Sequence, residues 1–236
     1  MTEKDPLMVE GALRCVIGKR LNRFVVEVIV EGAHSRAYLN NTGRLLDLLV
    51  EGRQGFCVAK RSEKTSYRLF AVEDQGVGAV IDTHLQMKAF EAWLDAGLIP
   101  WLKGWRVSRR NVKLGSSVID YLLRKESGEH AYVEVKSAVL RGGEYAMYPD
   151  CPSLRGRRHV KELTCCAASG VRSIIIFMAA LPGVAAFKPN ISVDLDFYSL
   201  LLGAKRAGVE VKAIASYYDP SASLMRLYDP DLEVIL

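Results

Sequence analysis

The stretch Ser117-Val118-Ile119-Asp120-Tyr121, resumed after a turn as Tyr132-Val133-Glu134-Val135-Lys136, decides how the rest of this chain is read. Side chains alternate across a strand, so Tyr132, Glu134 and Lys136 share one face while Val133 and Val135 enter the core on the other. Ser127-Gly128 supplies a turn between the two runs, and residues 117–123 and 131–136 read as a hairpin with Asp120 beside Glu134. Adjacent carboxylates repel one another unless a cation lies between them. A hard divalent ion, Mg²⁺ or Mn²⁺, with oxygen ligands and retained waters, meets that need, so Asp120 and Glu134 are the candidate metal ligands. Lys136 next to them would orient or activate an attacking water and neutralise charge on a phosphorane-like transition state. The candidate catalytic set is therefore Asp120, Glu134 and Lys136. The competing reading is a solvated strand face carrying an ion pair.

Upstream, residues 9–70 hold five short apolar runs at 12–17, 24–30, 36–39, 55–59 and 67–72, separated by Gly or Asn turn signals. That spacing predicts a small β-barrel, with residues 1–76 as the first domain. Residues 45–50 read as a helical turn or a further strand. Downstream the pattern changes to helices at 83–96, 158–169 and 197–207 alternating with strands at 172–180 and 209–217, which predicts an α/β domain over residues 77–236. The apolar run from Ile174 to Leu181 is far shorter than the roughly 18 residues of a membrane helix, and Met1 to Leu13 carries Glu3, Asp5 and Glu10 rather than a leader's apolar core. A cytoplasmic protein without a membrane partner is expected. Five cysteines without a C-x-x-C pair read as reduced core fillers.

Net charge is only +5, yet residues 103–113 and 155–161 are basic runs without an acid. Arg109, Arg110 and Lys113 in the first, and Arg155, Arg157, Arg158 and His159 in the second, are candidate phosphate contacts, because such clusters gain affinity by releasing counterions. The other reading of both runs is a solvated face. If a helix runs back to Arg155, then Arg155, His159 and Glu162 form one stripe. That stripe either faces the Asp120/Glu134 cleft or is structural, with Glu162 pairing Arg155 or Arg158. In the first domain Asn41-Thr42-Gly43 is a tight turn or a phosphate contact. Lys60 and Arg61, near Tyr38, Phe56 and Tyr67, suit a single-strand-binding groove on a barrel.

Asp120…Glu134-Val135-Lys136 resembles the D…(D/E)-x-K core of restriction-endonuclease-like nucleases. A larger set of pieces resembles the sugar fermentation stimulation protein family: Arg23-Phe24, Asn41-Thr42-Gly43, Asp82-Thr83, Gly115…Asp120, Glu134-Val135-Lys136-Ser137, Tyr148-Pro149-Asp150, Arg155-Gly156, His159…Glu162-Leu163 and Gly208-Val209-Glu210. The resemblance implies an N-terminal oligonucleotide-binding (OB) type β-barrel joined to a C-terminal restriction-endonuclease-like α/β domain. It also implies non-specific DNA binding, to single or double strands, and a regulatory link to sugar use; a homodimer is left open. Departures exist: Asn40 stands where the family has Pro, Gln86-Met87 where it has Pro-Asn, and the family's helical Glu falls on Ala92 with Glu91 one place early. A helical wheel puts Glu91 outside the apolar arc, on a solvated face. The functions to be separated are a metal-dependent nuclease, a non-catalytic DNA-binding regulator, and a carbohydrate-binding or scaffold protein.

Overall fold

The computed structural model describes residues 7–60, 62 and 64–236. Arg61 lies outside the described residues.

Five strands, β1 (Ala12–Asn22), β2 (Val25–Val30), β3 (Ala33–Leu39), β4 (Gln54–Ala59) and β5 (Tyr67–Asp74), match the five apolar runs. They pair in the order β1-β2-β3-β5-β4-β1, with β3 and β5 parallel, and so close the barrel of an OB fold. Alternation drives this closure: Val26, Val28 and Val30 on β2 are buried, and Glu27 between them is exposed. Residues 45–50 form a single turn, in which Leu49 N–H donates to the Leu45 carbonyl at 2.9 Å. Cys15 and Cys57 fill the barrel as expected, whereas Cys165 is exposed.

β6 (Val77–Val80) forms a hairpin with β5 and touches a later strand through Gly78 and Tyr218. Residues 76 and 77, where the sequence suggests a domain boundary, sit at the tip of that hairpin. Then follow α1 (Thr83–Asp95), β7 (Trp105–Leu114), β8 (Ser117–Lys125), β9 (His130–Ser137), β10 (Leu140–Gly142), β11 (Tyr145–Tyr148), α2 (Leu154–Ala168), β12 (Arg172–Ala179), β13 (Ala186–Pro189), α3 (Leu195–Arg206), β14 (Glu210–Asp219) and β15 (Leu224–Val234). The central run is β7-β8-β9-β12-β14, with β9, β12 and β14 parallel. β12 is buried from Ser173 to Ala179, as a central parallel strand covered on both faces must be. α1 lays Phe90 against Tyr121 of β8, while α2 packs on β8 and β12 and against α3.

α2 starts at Leu154, four residues ahead of the expected 158, because the Ser153 hydroxyl caps it by accepting from Gly156 N–H at 3.0 Å. β7, read from sequence only as a charged run, is a strand that pairs with β8 and, among the described residues, with no other. Among the described residues no helix is long and apolar enough to cross a membrane.

Candidate active site

The β8–β9 register pairs Tyr121 with Val133, and one step further along sets Asp120 across from Glu134. The two side chains interlock with the opposing backbone: Val135 N–H donates to Asp120 Oδ2 at 2.8 Å, and Asp120 N–H to Glu134 Oε2 at 3.3 Å. Lys136 Nζ donates to Glu134 Oε1 at 2.5 Å, and His159 Nδ1 from α2 reaches the same oxygen at 2.5 Å. Arg155 Nε donates to His159 Nε2 at 3.3 Å, which assigns the ring proton to Nδ1 and makes His159 a donor to Glu134. Glu134 and His159 are each 2 % exposed and Lys136 9 %, so the alternative of a solvated strand face is corrected: the ion pair is buried.

Burial pushes the Asp120 carboxyl up to about 6, and the neighbouring Glu134 charge adds to the rise. Burial would raise Glu134 as well, but the Lys136 ammonium and the His159 hydrogen bond outweigh it and hold Glu134 below the usual range. Burial disfavours the Lys136 charge, yet the Glu134 carboxylate beside it keeps that amine above its ordinary value. Lys136 is thus a fixed cation, and Asp120 is the carboxylate that gains most from a further one.

A divalent cation fits this donor set. Among the described residues Asp120 Oδ1 has no protein partner, and Glu134 Oε2 has only the long contact to Asp120 N–H. Among the described residues no three His, Cys, Asp or Glu side chains are placed to hold a metal ion together, so the ion would complete its shell with water or substrate oxygens, as Mg²⁺ and Mn²⁺ do. Glu91 supplies no ligand. It lies on the α1 side of the sheet, where Arg110 grips it through Nε at 2.7 Å and a second guanidinium nitrogen at 2.6 Å and Tyr121 OH donates at 2.8 Å. Glu91 is therefore a paired, part-buried residue and not the solvated one expected. A wheel drawn for α1 alone cannot see β7 and β8.

Asp120, Glu134, Lys136 and Ser137 open into a cavity of about 520 Å³ whose other walls are Arg23, Phe24 and residues 40–43 of the barrel and residues 147–156 ahead of and into α2. Asn41 and Thr42 thus line the same cavity as the carboxylates although some 80 residues of chain separate them. The Asn41 amide donates to the Ile81 carbonyl at 3.0 Å and its Oδ1 accepts from Gly43 N–H at 2.9 Å, while Leu45 N–H donates to Asp150 Oδ2 at 3.1 Å. A Cβ at Gly43 would lie 2.4 Å from Asp150 Oδ2, so any larger residue there would have to displace the Asp150 carboxylate. Glu162, for which pairing with Arg155 or Arg158 was one of two alternatives, instead accepts from Ser116 N–H (2.8 Å) and Oγ (2.7 Å), tying α2 to the β7–β8 turn.

The remaining basic candidates separate. Arg155 lines the cavity, and His159 lies beneath it. Arg157 is held by Asp194 and Asp196 of the α3 N-terminus, at 2.8 and 2.6 Å. Arg109 and Lys113 are exposed on β7 and Arg158 on α2, all outside the cavity wall, with Arg110 paired as above. Lys60 lies on the barrel with its ammonium 3.8 Å from the Tyr38 ring centroid. Arg23, Ser137, Tyr148 and Asp150 are not among the site residues expected from sequence, although each falls in a motif that carries the family resemblance, Arg23-Phe24, Glu134-Val135-Lys136-Ser137 and Tyr148-Pro149-Asp150.

A closed OB barrel whose loop overhangs an Asp…Glu-x-Lys hairpin in a restriction-endonuclease-like α/β domain defines a class of two-domain proteins with a nuclease fold. Residues 84–222 match the family model described as the sugar fermentation stimulation protein RE domain, and residues 19–81 match the SfsA N-terminal OB domain. The chain belongs to the sugar fermentation stimulation protein family. It is 48 % identical over 228 residues to the homolog from Archaeoglobus fulgidus, covering 97 % of this chain and 98 % of that one. To the Pyrococcus furiosus homolog it is 46 % identical over 211 residues, covering 89 % and 91 %. Its fold is similar to the solved structure of Pyrococcus furiosus SfsA in complex with Ca²⁺, with a TM-score of 0.94, 42 % identity, and 98 % and 99 % of the two chains covered.

Proposed function

We propose that this chain binds DNA without sequence preference in the cytoplasm and hydrolyses its phosphodiester bonds with a divalent ion, Mg²⁺ or Mn²⁺, held by Asp120 and Glu134. The observation that carries this reading is the convergence of Asp120, Glu134 and Lys136 on one wall of a cavity that the barrel loop overhangs. The Ca²⁺ complex of the Pyrococcus furiosus relative supports it, because Ca²⁺ prefers the same hard oxygen donors. In hydrolysis a water oxygen bonds to phosphorus as the bond to one sugar oxygen breaks, leaving a phosphate monoester and a hydroxyl. The metal would polarise the phosphoryl oxygens and lower the pKa of a bound water. Lys136 holds a positive charge at the Glu134 oxygen and faces the developing negative charge, while His159 keeps Glu134 oriented and ionised. Arg155, at the rim, contacts the phosphate.

A second reading is a non-catalytic DNA-binding regulator linked to sugar metabolism. Among the described residues no third carboxylate groups with Asp120 and Glu134 as a metal ligand, and Glu91 is committed to Arg110 and Tyr121, which favours it. One experiment separates the two: end-labelled single- and double-stranded DNA is incubated with Mg²⁺ or Mn²⁺ and wild-type protein, Glu134→Ala or the isosteric Asp120→Asn. Hydrolysis predicts cleavage that needs the ion and is lost in both variants. DNA left intact by pure wild-type protein with either ion sinks the hydrolytic reading.

A further inference from the structure

We infer that the strand form reaching Asp120 and Glu134 is single-stranded DNA, led there from the barrel across the exposed ring of Phe24, and that an intact duplex is excluded. This rests on reading Asp120, Glu134 and Lys136 as the reacting centre. Glu134 and Lys136 are almost wholly buried, so a phosphate gets to them only by entering the cavity. At about 520 Å³ the cavity is of the size that holds a small ligand (roughly 300–1,000 Å³): room for a nucleotide or so of one strand. Its cover is fastened at both ends. Arg20 donates to the Gly43 carbonyl at 3.0 Å, and Leu45 N–H is bound by Asp150 at 3.1 Å, so the barrel loop is pinned to β1 on one side and to the segment before α2 on the other.

A second hollow, of about 620 Å³, lies on the barrel and is lined by Phe24, Tyr38, Lys60 and Lys64 among others. Phe24 belongs to the walls of both hollows and is 45 % exposed, an unusual setting for a phenylalanine. Each aromatic here carries a cation: Lys60 Nζ stands 3.8 Å from the Tyr38 ring centroid, and the Arg23 guanidinium carbon 5.7 Å from that of Phe24. Rings for stacking with cations for the backbone are what an unpaired strand offers partners for; a duplex keeps its base faces inside the stack and its phosphates on a stiff outer surface. Arg23, in the wall of the cavity, and Arg155, on its far rim, continue the positive charge from the barrel hollow to the carboxylates.

The test uses the full chain and fluorescein-labelled oligothymidylate, alone or annealed to oligoadenylate, with anisotropy read in EDTA so that binding is independent of metal and cleavage. The single strand is expected to bind at least about tenfold more tightly than the duplex. Phe24→Ala should weaken single-strand binding by roughly 5- to 100-fold, the loss of one stacked base. Phe24→Tyr should restore it, and duplex binding should not change. Duplex binding as tight as single-strand binding, or an equal loss on both forms in Phe24→Ala, overturns the inference. Strand preference without metal-dependent cleavage upholds the path and fails the hydrolytic reading alone. Cleavage of duplex as fast as of single strand, lost in Asp120→Asn, upholds hydrolysis and overturns the path.

Discussion

Glu134 accepts on one oxygen from both Lys136 and His159, and the three side chains are buried together. Removing one partner of a buried pair leaves the other uncompensated, whereas removing both costs little beyond the lost packing. Glu134→Gln and Lys136→Met are therefore each expected to destabilise the protein by roughly 3 kcal/mol, and the double variant by clearly less than their sum. Urea unfolding of the four proteins measures the coupling; strict additivity would mean that the pair is effectively solvated. Lys136→Arg is a poor conservative swap, since a planar guanidinium does not fit the buried space of an ammonium. The Asp120, Glu134 and Lys136 cluster was legible because period-2 alternation and one Ser-Gly turn fix which side chains meet. The His159 bond was legible only as a stripe shared with Arg155, because nothing in the sequence sets how α2 is turned about its own axis over β9. The Arg110–Glu91 pair depends on a strand that the sequence did not announce.

α2 and α3 are joined by Asp194, which caps α3 by accepting from Phe197 N–H at 2.8 Å, accepts from Ser153 N–H ahead of α2 at 2.9 Å, and pairs with Arg157. Burial alone would raise this carboxyl, but the two backbone donors and the Arg157 guanidinium outweigh it and depress its pKa. A carboxyl depressed by folding stabilises the native state above its unfolded pKa, and that contribution is lost as pH falls through the folded value. Asp194→Ala should cost roughly 3 kcal/mol at neutral pH. In Asp194→Asn the stability profile below about pH 4 should be flatter than in wild type; parallel acid limbs would count against the linkage. For the proposed DNA binding, pairing also predicts which basic residues contact phosphate. Arg157→Gln and Arg110→Gln should leave the slope of log K against log salt unchanged, because Asp194, Asp196 and Glu91 already hold those groups. Arg155→Gln should flatten it by about 0.7 on single strands. A flatter slope in Arg157→Gln would show that its carboxylates release it to phosphate. Among elements, the five barrel strands and the three helices were readable from their apolar periods. β7 was not: as an edge strand it exposes Arg109, Arg110 and Lys113, and charge on an edge guards against further pairing but erases the alternation that marks a strand.

At the scale of the molecule the two units share one continuous sheet, in which β14 pairs with β12 and β15 of the nuclease-like unit and touches β6, itself paired with β5 of the barrel. The joint is sealed by rings: Tyr218 of β14, 1 % exposed, meets Phe56 edge-on at 5.2 Å and Phe70 at 4.8 Å, both from the barrel. A Cβ on Gly78 would come within 3.0 Å of the Tyr218 side chain, so the strands approach closely there. Polar contacts reinforce the joint farther out, where Arg141 ahead of β11 pairs with Asp74 of β5 at 2.7 Å. Two compositional halves were visible in the chain, but the joint was not, because it is made by residues far apart in sequence, such as Phe70 and Tyr218, whose meeting no local pattern encodes. A shared sheet and a buried aromatic cluster mean that neither unit keeps its core closed once the other unfolds, so a single cooperative transition is expected despite two units, with calorimetric and van't Hoff enthalpies in agreement. Tyr218→Ala should lower that transition by the equivalent of roughly 3–5 kcal/mol, since it empties a ring-sized space on both sides of the joint. It should also separate the two units, giving a barrel transition below that of the nuclease-like unit. Two transitions already present in wild type would mean that the sheet is continuous in geometry but not in cooperativity, and that the barrel can detach from the cavity it covers.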